Sequence, residues 1–155
     1  MNETELLKQY QSLIQDVDNE ISLLANTSAF IYQSFNQLDW AGFYLADDNK
    51  KILNLGPFQG KVACIKIPYS KGVCGACARE NKTIVVADVH QFPGHIACDN
   101  ASNSEIVIPI NVNNKFYGEL DIDSPIINRF SDTDKTILES IVEILISKLT
   151  SFKIF

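Results

Sequence analysis

Two adjacent segments in the C-terminal half, residues 105–112 and 116–123, alternate between apolar and polar side chains. A period of two residues is typical of β-strands with one buried face. We expect a hairpin about residues 113–115 in which Val112 pairs with Phe116, because a shift by one residue would place charged groups among the apolar ones. That register gathers the apolar residues on one face: Ile106, Ile108, Ile110, Val112, Phe116, Gly118, Leu120 and Ile122.

The same register places three acidic residues on the other face of the hairpin. Glu105 is predicted to lie across from Asp123, and Val107 across from Asp121, with the carboxylates within ~5 to 8 Å of each other. Such a cluster is either a solvated polar surface or a site for a cation that relieves the repulsion. A ligand ammonium is favoured over calcium, because no local loop of alternating acids offers six to eight oxygens. One crowded carboxyl with a raised pKa can also donate a proton.

The remaining sequence alternates helical and extended patterns. Apolar spacing and capping residues predict helices over residues 3–16, 18–38 and 72–81, and a last helix that Ser131 can cap, over residues 131–152. Strands are predicted at residues 40–45, 51–55, 62–67 and 83–86. Residues 88–104 show no period and contain Pro93-Gly94, so we expect a long loop, and such loops often bind or catalyse. At 155 residues we expect one α+β domain spanning residues 1–155.

Charge and composition exclude several classes of partner. The net charge of -6 and pI near 4.8 disfavour binding to nucleic acid or to an anionic membrane surface. Residues 1–5 lack the basic start of a secretory signal, and no apolar run approaches the ~20 residues of a membrane span. We therefore expect a cytoplasmic protein. In that compartment four cysteines indicate metal binding or redox chemistry more than structural disulfides.

The spacing of Cys74, Cys77, His90 and His95 fits that of a two-cysteine, two-histidine zinc finger. A finger needs both histidines on one helix, but Gln-Phe-Pro-Gly separates them and residues 83–86 are predicted as a strand. We therefore predict no metal site.

The Cys-Gly-Ala-Cys segment at residues 74–77 also resembles a dithiol redox motif at a helix N-terminus. The rest of a thioredoxin-like fold is not predicted, so Cys77 is expected to be a small buried helix residue. Considered by itself, Cys64 is likewise expected to be a small buried residue, on its predicted strand. Cys98 differs, because it follows His95 in an irregular loop where a ligand can reach a stabilised thiolate.

Several short motifs carry a family resemblance. Gly-Val-Cys-Gly at 72–75, Asp-Val-His at 88–90, Phe-Pro-Gly-His-Ile-Ala-Cys-Asp at 92–99, Ser-Glu at 104–105 and Gly-Glu-Leu-Asp-Ile-Asp-Ser at 118–124 resemble the free methionine-(R)-sulfoxide reductases. These enzymes are single GAF domains. The likeness runs from about residue 40 to the start of the last helix, near residue 132. It implies reduction of free methionine (R)-sulfoxide without a bound cofactor.

The resemblance also implies a role for each site residue. Cys98 resembles the attacking thiol, and Cys64 and Cys74 resemble the resolving pair; Cys77 departs from the family pattern. The oxidised Cys98 would form a disulfide that thioredoxin reduces. The acids that hold substrate in the family match Glu105, Asp121 and Asp123, of which Glu105 and Asp123 are candidate proton donors. The aromatic residues that enclose the methyl end of the sulfoxide match Trp40 and Tyr44.

A GAF fold implies a central antiparallel sheet. The N-terminal helices (1–38) and C-terminal helix (131–152) are expected on one face, and the 72–81 helix with the 88–104 loop on the other. The resemblance also implies a homodimer formed through the terminal helices. The main alternative function is a GAF module that senses a small molecule without turning it over, although such modules usually belong to longer chains.

Overall fold

The computed structural model describes residues 2–94 and 102–155. Six strands form one antiparallel sheet in the order β3-β2-β1-β6-β5-β4. The strands are β1 (Trp40–Asp47), β2 (Ile52–Gly60), β3 (Lys66–Pro68), β4 (Ile84–Val86), β5 (Ser104–Val112) and β6 (Lys115–Ser124). The helices are α1 (Glu3–Ile14), α2 (Glu20–Ser34), α3 (Gly72–Glu80) and α4 (Asp132–Ser151), and a short 3-10 helix covers Val89–Gln91.

Polar side chains start three of the helices. Asn2 and Asn19 accept hydrogen bonds from backbone N–H groups in the first turns of α1 and α2. Ser131 and Asp134 cap α4 reciprocally, each side chain bonding the other residue's backbone N–H. These bonds satisfy N–H groups that have no partner within a helix. The predicted helices are confirmed, with ends that differ by up to four residues.

The sheet separates two apolar clusters. On one face, β1, β5 and β6 pack against α1, α2 and α4 around buried residues such as Phe43, Ile108 and Leu145. The other face, called the α3 face here, packs against α3 around Tyr44, Val73 and Val107. The predicted arrangement of helices on the two faces is therefore confirmed. Residues 95–101 of the predicted loop lie outside the described part of the chain.

The predicted hairpin register is confirmed over most of its length. Glu105 pairs with Asp123, and Val107 pairs with Asp121. The acidic residues consequently lie on the α3 face, while the apolar row between them packs against the terminal helices.

The register prediction is wrong next to the turn. Val112 pairs with Lys115 instead of Phe116, because Asn113 and Asn114 alone form the turn, both with positive φ, as in two-residue hairpins. A β-bulge in β6 accommodates the difference, and Tyr117 has no direct partner in β5. Phe116 therefore packs on the α3 face, and Tyr117 takes the expected place of Phe116 among the terminal-helix residues.

The strand predicted over residues 62–67 is also wrong in part. Only Lys66–Pro68 pairs with β2, while β2 itself extends to Gly60. Cys64 therefore lies in an irregular segment and not on a strand. Val62 and Ile65, which lie within the predicted strand, are 87% and 71% exposed. In the described residues, the helices are too short or too polar to cross a membrane.

Candidate active site

Four carboxylic acids line the α3 face. β5 contributes Glu105, and β6 contributes Glu119, Asp121 and Asp123 at alternating positions. Glu119 was not among the predicted site residues, although its spacing of two residues from Asp121 places it on the same face. Glu119 has no exposed surface, Asp121 is 5% exposed and Glu105 is 8% exposed. The acidic cluster is thus larger than predicted, and three of its four members are buried, whereas Asp123 is half-buried.

Within the part of the chain that the structure describes, little stabilises the charges of these acids. None of the salt bridges among the described residues involves them. Both oxygens of Glu119 and Oδ1 of Asp121 have no hydrogen-bond partner within residues 2–94 and 102–155. An unpaired buried carboxylate costs several kcal/mol, so such a group takes up a proton or a cationic ligand.

Burial is the main reason that the pKa of each acid rises well above its ordinary value. Neighbouring negative charge adds to the rise: Asp121 acts on Glu105, Asp123 on Asp121, and Glu105 on Asp123 and Glu119. Crowded carboxyls of this kind hold protons near neutral pH and release or accept them as ligands bind.

Helix α3 brings a thiol to the acids. Cys74 lies in the first turn, and its Sγ donates a hydrogen bond to Oε2 of Glu105 over 3.8 Å. Burial, followed by the charge of Asp121, raises the pKa of the Cys74 thiol well above its ordinary value. Potential metal-binding atoms of Cys74, Glu105 and Asp121 lie within 4.8 Å of one another. The same closeness permits proton exchange between the thiol and the acids.

Aromatic side chains form the wall beside the acids. In β1, Trp40 pairs with Asp123 and Tyr44 pairs with Glu119, which places both rings on the acidic face. Their centroids are 5.8 Å apart, and Trp40 also stacks on Phe58 at 5.1 Å. Phe58 was not predicted, because a lone phenylalanine in a segment without a clear period carries no signal of its own.

Hydrogen bonds and a glycine hold this wall in place. Trp40 Nε1 donates to the carbonyl of Lys61 at 3.0 Å, and the Tyr44 hydroxyl donates to the carbonyl of Cys64 at 2.9 Å. A Cβ at Gly42 would lie 2.3 Å from Cβ of Phe58 and 2.8 Å from a ring carbon of Trp40. The absence of a side chain at Gly42 therefore allows the rings to approach each other over β1.

The structure distinguishes the cysteines that it describes. Cys64 is disulfide-bonded, whereas Cys74 and Cys77 are free and buried. Cys77 has no exposed surface, as expected for a small buried helix residue. Cys98, the predicted attacking thiol, and His95 lie outside the described residues.

The described residues of the zinc-finger pattern do not come together in one group of potential metal ligands. His90 lies in the 3-10 helix, is exposed, and shares a hydrogen bond of 2.9 Å between its Nε2 and Oδ1 of Asn103. It is not among the potential metal ligands that surround Cys74.

Comparison with known proteins agrees with this geometry. Residues 19–146 match the family model of the GAF domain. The free methionine-R-sulfoxide reductase of Escherichia coli (strain K12) is 47% identical over 146 residues, which cover 92% of this chain and 87% of that protein.

Solved structures give the same result. The structure of fRMsr of Staphylococcus aureus in its reduced form has a TM-score of 0.90 and 53% identity, covering 96% of this chain and 95% of that one. The free methionine-R-sulfoxide reductase from Neisseria meningitidis, in complex with its substrate, has a TM-score of 0.93 and 38% identity, covering 97% and 90%. This chain therefore belongs to the GAF-domain family of free methionine-R-sulfoxide reductases.

Proposed function

We propose that this protein reduces free methionine (R)-sulfoxide to methionine, with Cys98 as the attacking thiol and the acidic cluster as the receptor for the amino group of the substrate. The observation that carries the proposal is the set of buried carboxyls that form no salt bridge with any other described residue, directly beside the rings of Trp40 and Tyr44. An amino acid with a free ammonium and an apolar methyl end complements both parts of such a site.

Substrate recognition follows from this charge balance. The ammonium group of free methionine sulfoxide pairs with one ionised carboxyl of the cluster formed by Glu105, Asp121 and Asp123, while the aromatic pair encloses the sulfoxide methyl. A methionine sulfoxide inside a polypeptide has no α-ammonium, so its binding would leave buried charges unpaired at a cost of several kcal/mol. The site therefore favours the free amino acid. The R preference rests on family membership alone.

The chemistry needs one nucleophile and one proton donor. The Cys98 thiolate attacks the sulfoxide sulfur, and the oxygen is transferred to the cysteine, which leaves methionine and a sulfenic acid. Glu105 or Asp123 supplies the proton that the departing oxygen requires, since burial and neighbouring charge raise the pKa of both.

Cys64 is the first resolving thiol in this proposal. It condenses with the sulfenic acid of Cys98, water leaves, and a disulfide forms. The disulfide-bonded state of Cys64 and the free state of Cys74 support this order. Burial also disfavours the thiolate of Cys74, because it raises the pKa of that thiol.

Thioredoxin is the proposed reductant. Disulfide exchange requires that an external dithiol reach one of the bonded sulfurs. The exposed apolar side chains of Val62 and Ile65 flank Cys64, and they offer a contact surface for a protein reductant at that point. Free thiols at Cys74 and Cys77 fit a reducing compartment, so we place the reaction in the cytoplasm.

A coupled assay tests the proposed function. Wild-type protein is incubated with NADPH, thioredoxin reductase, thioredoxin and free methionine (R)-sulfoxide, and NADPH loss is followed. Turnover is expected with wild type and is expected to be abolished in Cys98→Ser. An N-acetylated, amidated methionine sulfoxide serves as the control substrate and should be a poor one. No wild-type turnover, or full turnover by Cys98→Ser, would favour the sensory GAF module.

We also propose that the protein forms a homodimer through its terminal helices. Leu13 of α1 is 40% exposed and Ile21 of α2 is 74% exposed, so both offer apolar surface to a second copy. Light scattering should give the mass of two chains. A single species with the mass of one chain would refute the dimer.

A further inference from the structure

One group of side chains on the α3 face has the composition of a metal site. Cys74 of α3, Glu105 of β5 and Asp121 of β6 each contribute one potential ligand atom, and these atoms lie within 4.8 Å of one another. This set differs from the zinc-finger pattern, because its ligands come from three elements and include no histidine. The prediction of no metal site rested on that pattern and did not combine a helix thiol with strand carboxylates.

The spacing of the ligand atoms suits zinc. Cys74 Sγ lies 3.8 Å from Oε2 of Glu105. With a Zn–S distance of about 2.3 Å, a Zn–O distance of about 2.1 Å and tetrahedral angles, a sulfur and an oxygen ligand lie about 3.6 Å apart. Small side-chain rotations are therefore enough to place both atoms on one ion. The thiol favours zinc over calcium or magnesium, which prefer oxygen ligands alone.

A second observation indicates that this group binds a ligand. Asp121 is 5% exposed, and its Oδ1 has no hydrogen-bond partner among residues 2–94 and 102–155. A buried carboxylate oxygen is normally hydrogen-bonded or bound to a cation. Cys74 and Glu105 are 4% and 8% exposed, so the three groups are desolvated but are not sealed from an ion.

Charge balance favours a divalent ion at this position. A thiol that coordinates zinc is deprotonated outright, so the ion faces one thiolate and two carboxylates and compensates two of their three negative charges. In the metal-free protein, burial raises the pKa of the Cys74 thiol. The positive charge of a bound ion opposes that effect, because it stabilises the thiolate directly.

We propose that Cys74, Glu105 and Asp121 bind a zinc ion in the substrate-free protein, and that the ion and the amino acid substrate exclude each other. The zinc site itself is independent of the proposed function. The exclusion rests on that function, which assigns the substrate ammonium to the same group of carboxyls. Zinc therefore acts as an inhibitor that competes with substrate.

A zinc titration with matched variants tests the site. Metal-free protein with its thiols reduced is titrated with Zn²⁺ against a chromophoric chelator, and Co²⁺ is used in parallel because a cobalt–thiolate bond gives a charge-transfer absorption. Loss of a contact behind a metal ligand lowers metal affinity roughly 10- to 100-fold. Removal of a ligand in Cys74→Ala should therefore lower the affinity for Zn²⁺ by more than about a hundredfold and abolish the cobalt absorption. Cys77→Ala, which removes a thiol from the same helix, should bind Zn²⁺ as the wild type does.

Two more variants complete the test. Cys64→Ser detects zinc that is held by another thiol, and it should keep the wild-type affinity. Loss of binding in Cys64→Ser but not in Cys74→Ala, or no binding by the wild type, would overturn the zinc site. Asp121→Asn decides the question even if Cys74→Ala does not fold: a loss of at least about tenfold is expected, and an unchanged affinity would also overturn the site.

Methionine tests the exclusion, because it has the ammonium group and the apolar end of the substrate without the reactive oxygen. Increasing methionine should raise the apparent Kd for Zn²⁺ in the wild type, and a constant Kd would overturn the exclusion. Turnover in the coupled assay without zinc binding would overturn the zinc site and leave the proposed function intact. Zinc binding without turnover would do the reverse.

Discussion

Replacement of Glu119 by glutamine tests whether the buried acids are protonated in the folded protein. Glu119 has no exposed surface, and burial raises its pKa well above the ordinary value of 4.5. Between 4.5 and that raised pKa, the folded chain holds a proton that the unfolded chain has lost. Unfolding therefore releases a proton, and the free energy of unfolding falls as the pH rises through this interval.

The dependence of the free energy of unfolding on pH gives the size of the expected effect. One proton released on unfolding lowers the free energy of unfolding by about 1.4 kcal/mol per pH unit. Glu105, Asp121 and Asp123 act in the same direction, since their pKa values are raised as well. The stability of the wild type should accordingly decrease from pH 5 to pH 8. In Glu119→Gln the decrease should be shallower by up to about 1.4 kcal/mol per pH unit.

Urea unfolding at a series of pH values, with the thiols kept reduced, measures these slopes. Glu143→Gln is the matched control, because it makes the same change at an exposed position of α4. Its slope should equal that of the wild type. If Glu119→Gln also keeps the wild-type slope, then Glu119 is ionised in the folded protein, and the argument from burial is refuted.

Three further predictions follow from the site. Asp123→Asn and Glu105→Gln should each lower kcat/KM for free methionine sulfoxide at least tenfold, about 1.4 kcal/mol, without unfolding the chain; unchanged efficiency in both would mean that the acids do not bind substrate. Val62→Asp should raise the KM for thioredoxin several-fold but leave dithiothreitol-driven turnover unchanged, and an equal loss with both reductants would refute the contact surface. Gly42→Ala should lower the melting temperature and raise the substrate KM, because its Cβ would lie 2.8 Å from a ring carbon of Trp40; a wild-type KM would show that the ring position does not matter.

The acidic face shows what the alternating sequence pattern predicts and what it does not. Alternation with period two is a property of the strand itself, so it predicts that Glu105, Asp121 and Asp123 share a face. The same period includes Glu119, but nothing local indicates that helix α3 covers this acid and removes its surface from water. Burial depends on which element packs across the sheet, and it decides whether an acid is solvated or protonated.

The regions where the prediction fails depend on the exact geometry of a turn or on contacts between residues that are distant in sequence. Phe116 changes face because a two-residue turn and a bulge at Tyr117 shift the register at the hairpin end. Cys64 leaves the sheet and accepts a hydrogen bond from the Tyr44 hydroxyl, a partner 20 residues away in sequence. Short apolar runs such as residues 62–67 fit a strand equally well until these contacts are known.

The sequence by itself therefore determined the α+β architecture, the acidic face of the hairpin and, through its motifs, the reductase family. Only the tertiary structure decided that three of the four acids are buried, that none of the four forms a salt bridge with another described residue, that Phe58 completes the aromatic wall and that the Cys74 thiol adjoins Glu105. The physical reason is that periodicity records which side of an element a residue occupies. Desolvation, pKa and reactivity depend on what packs against that side.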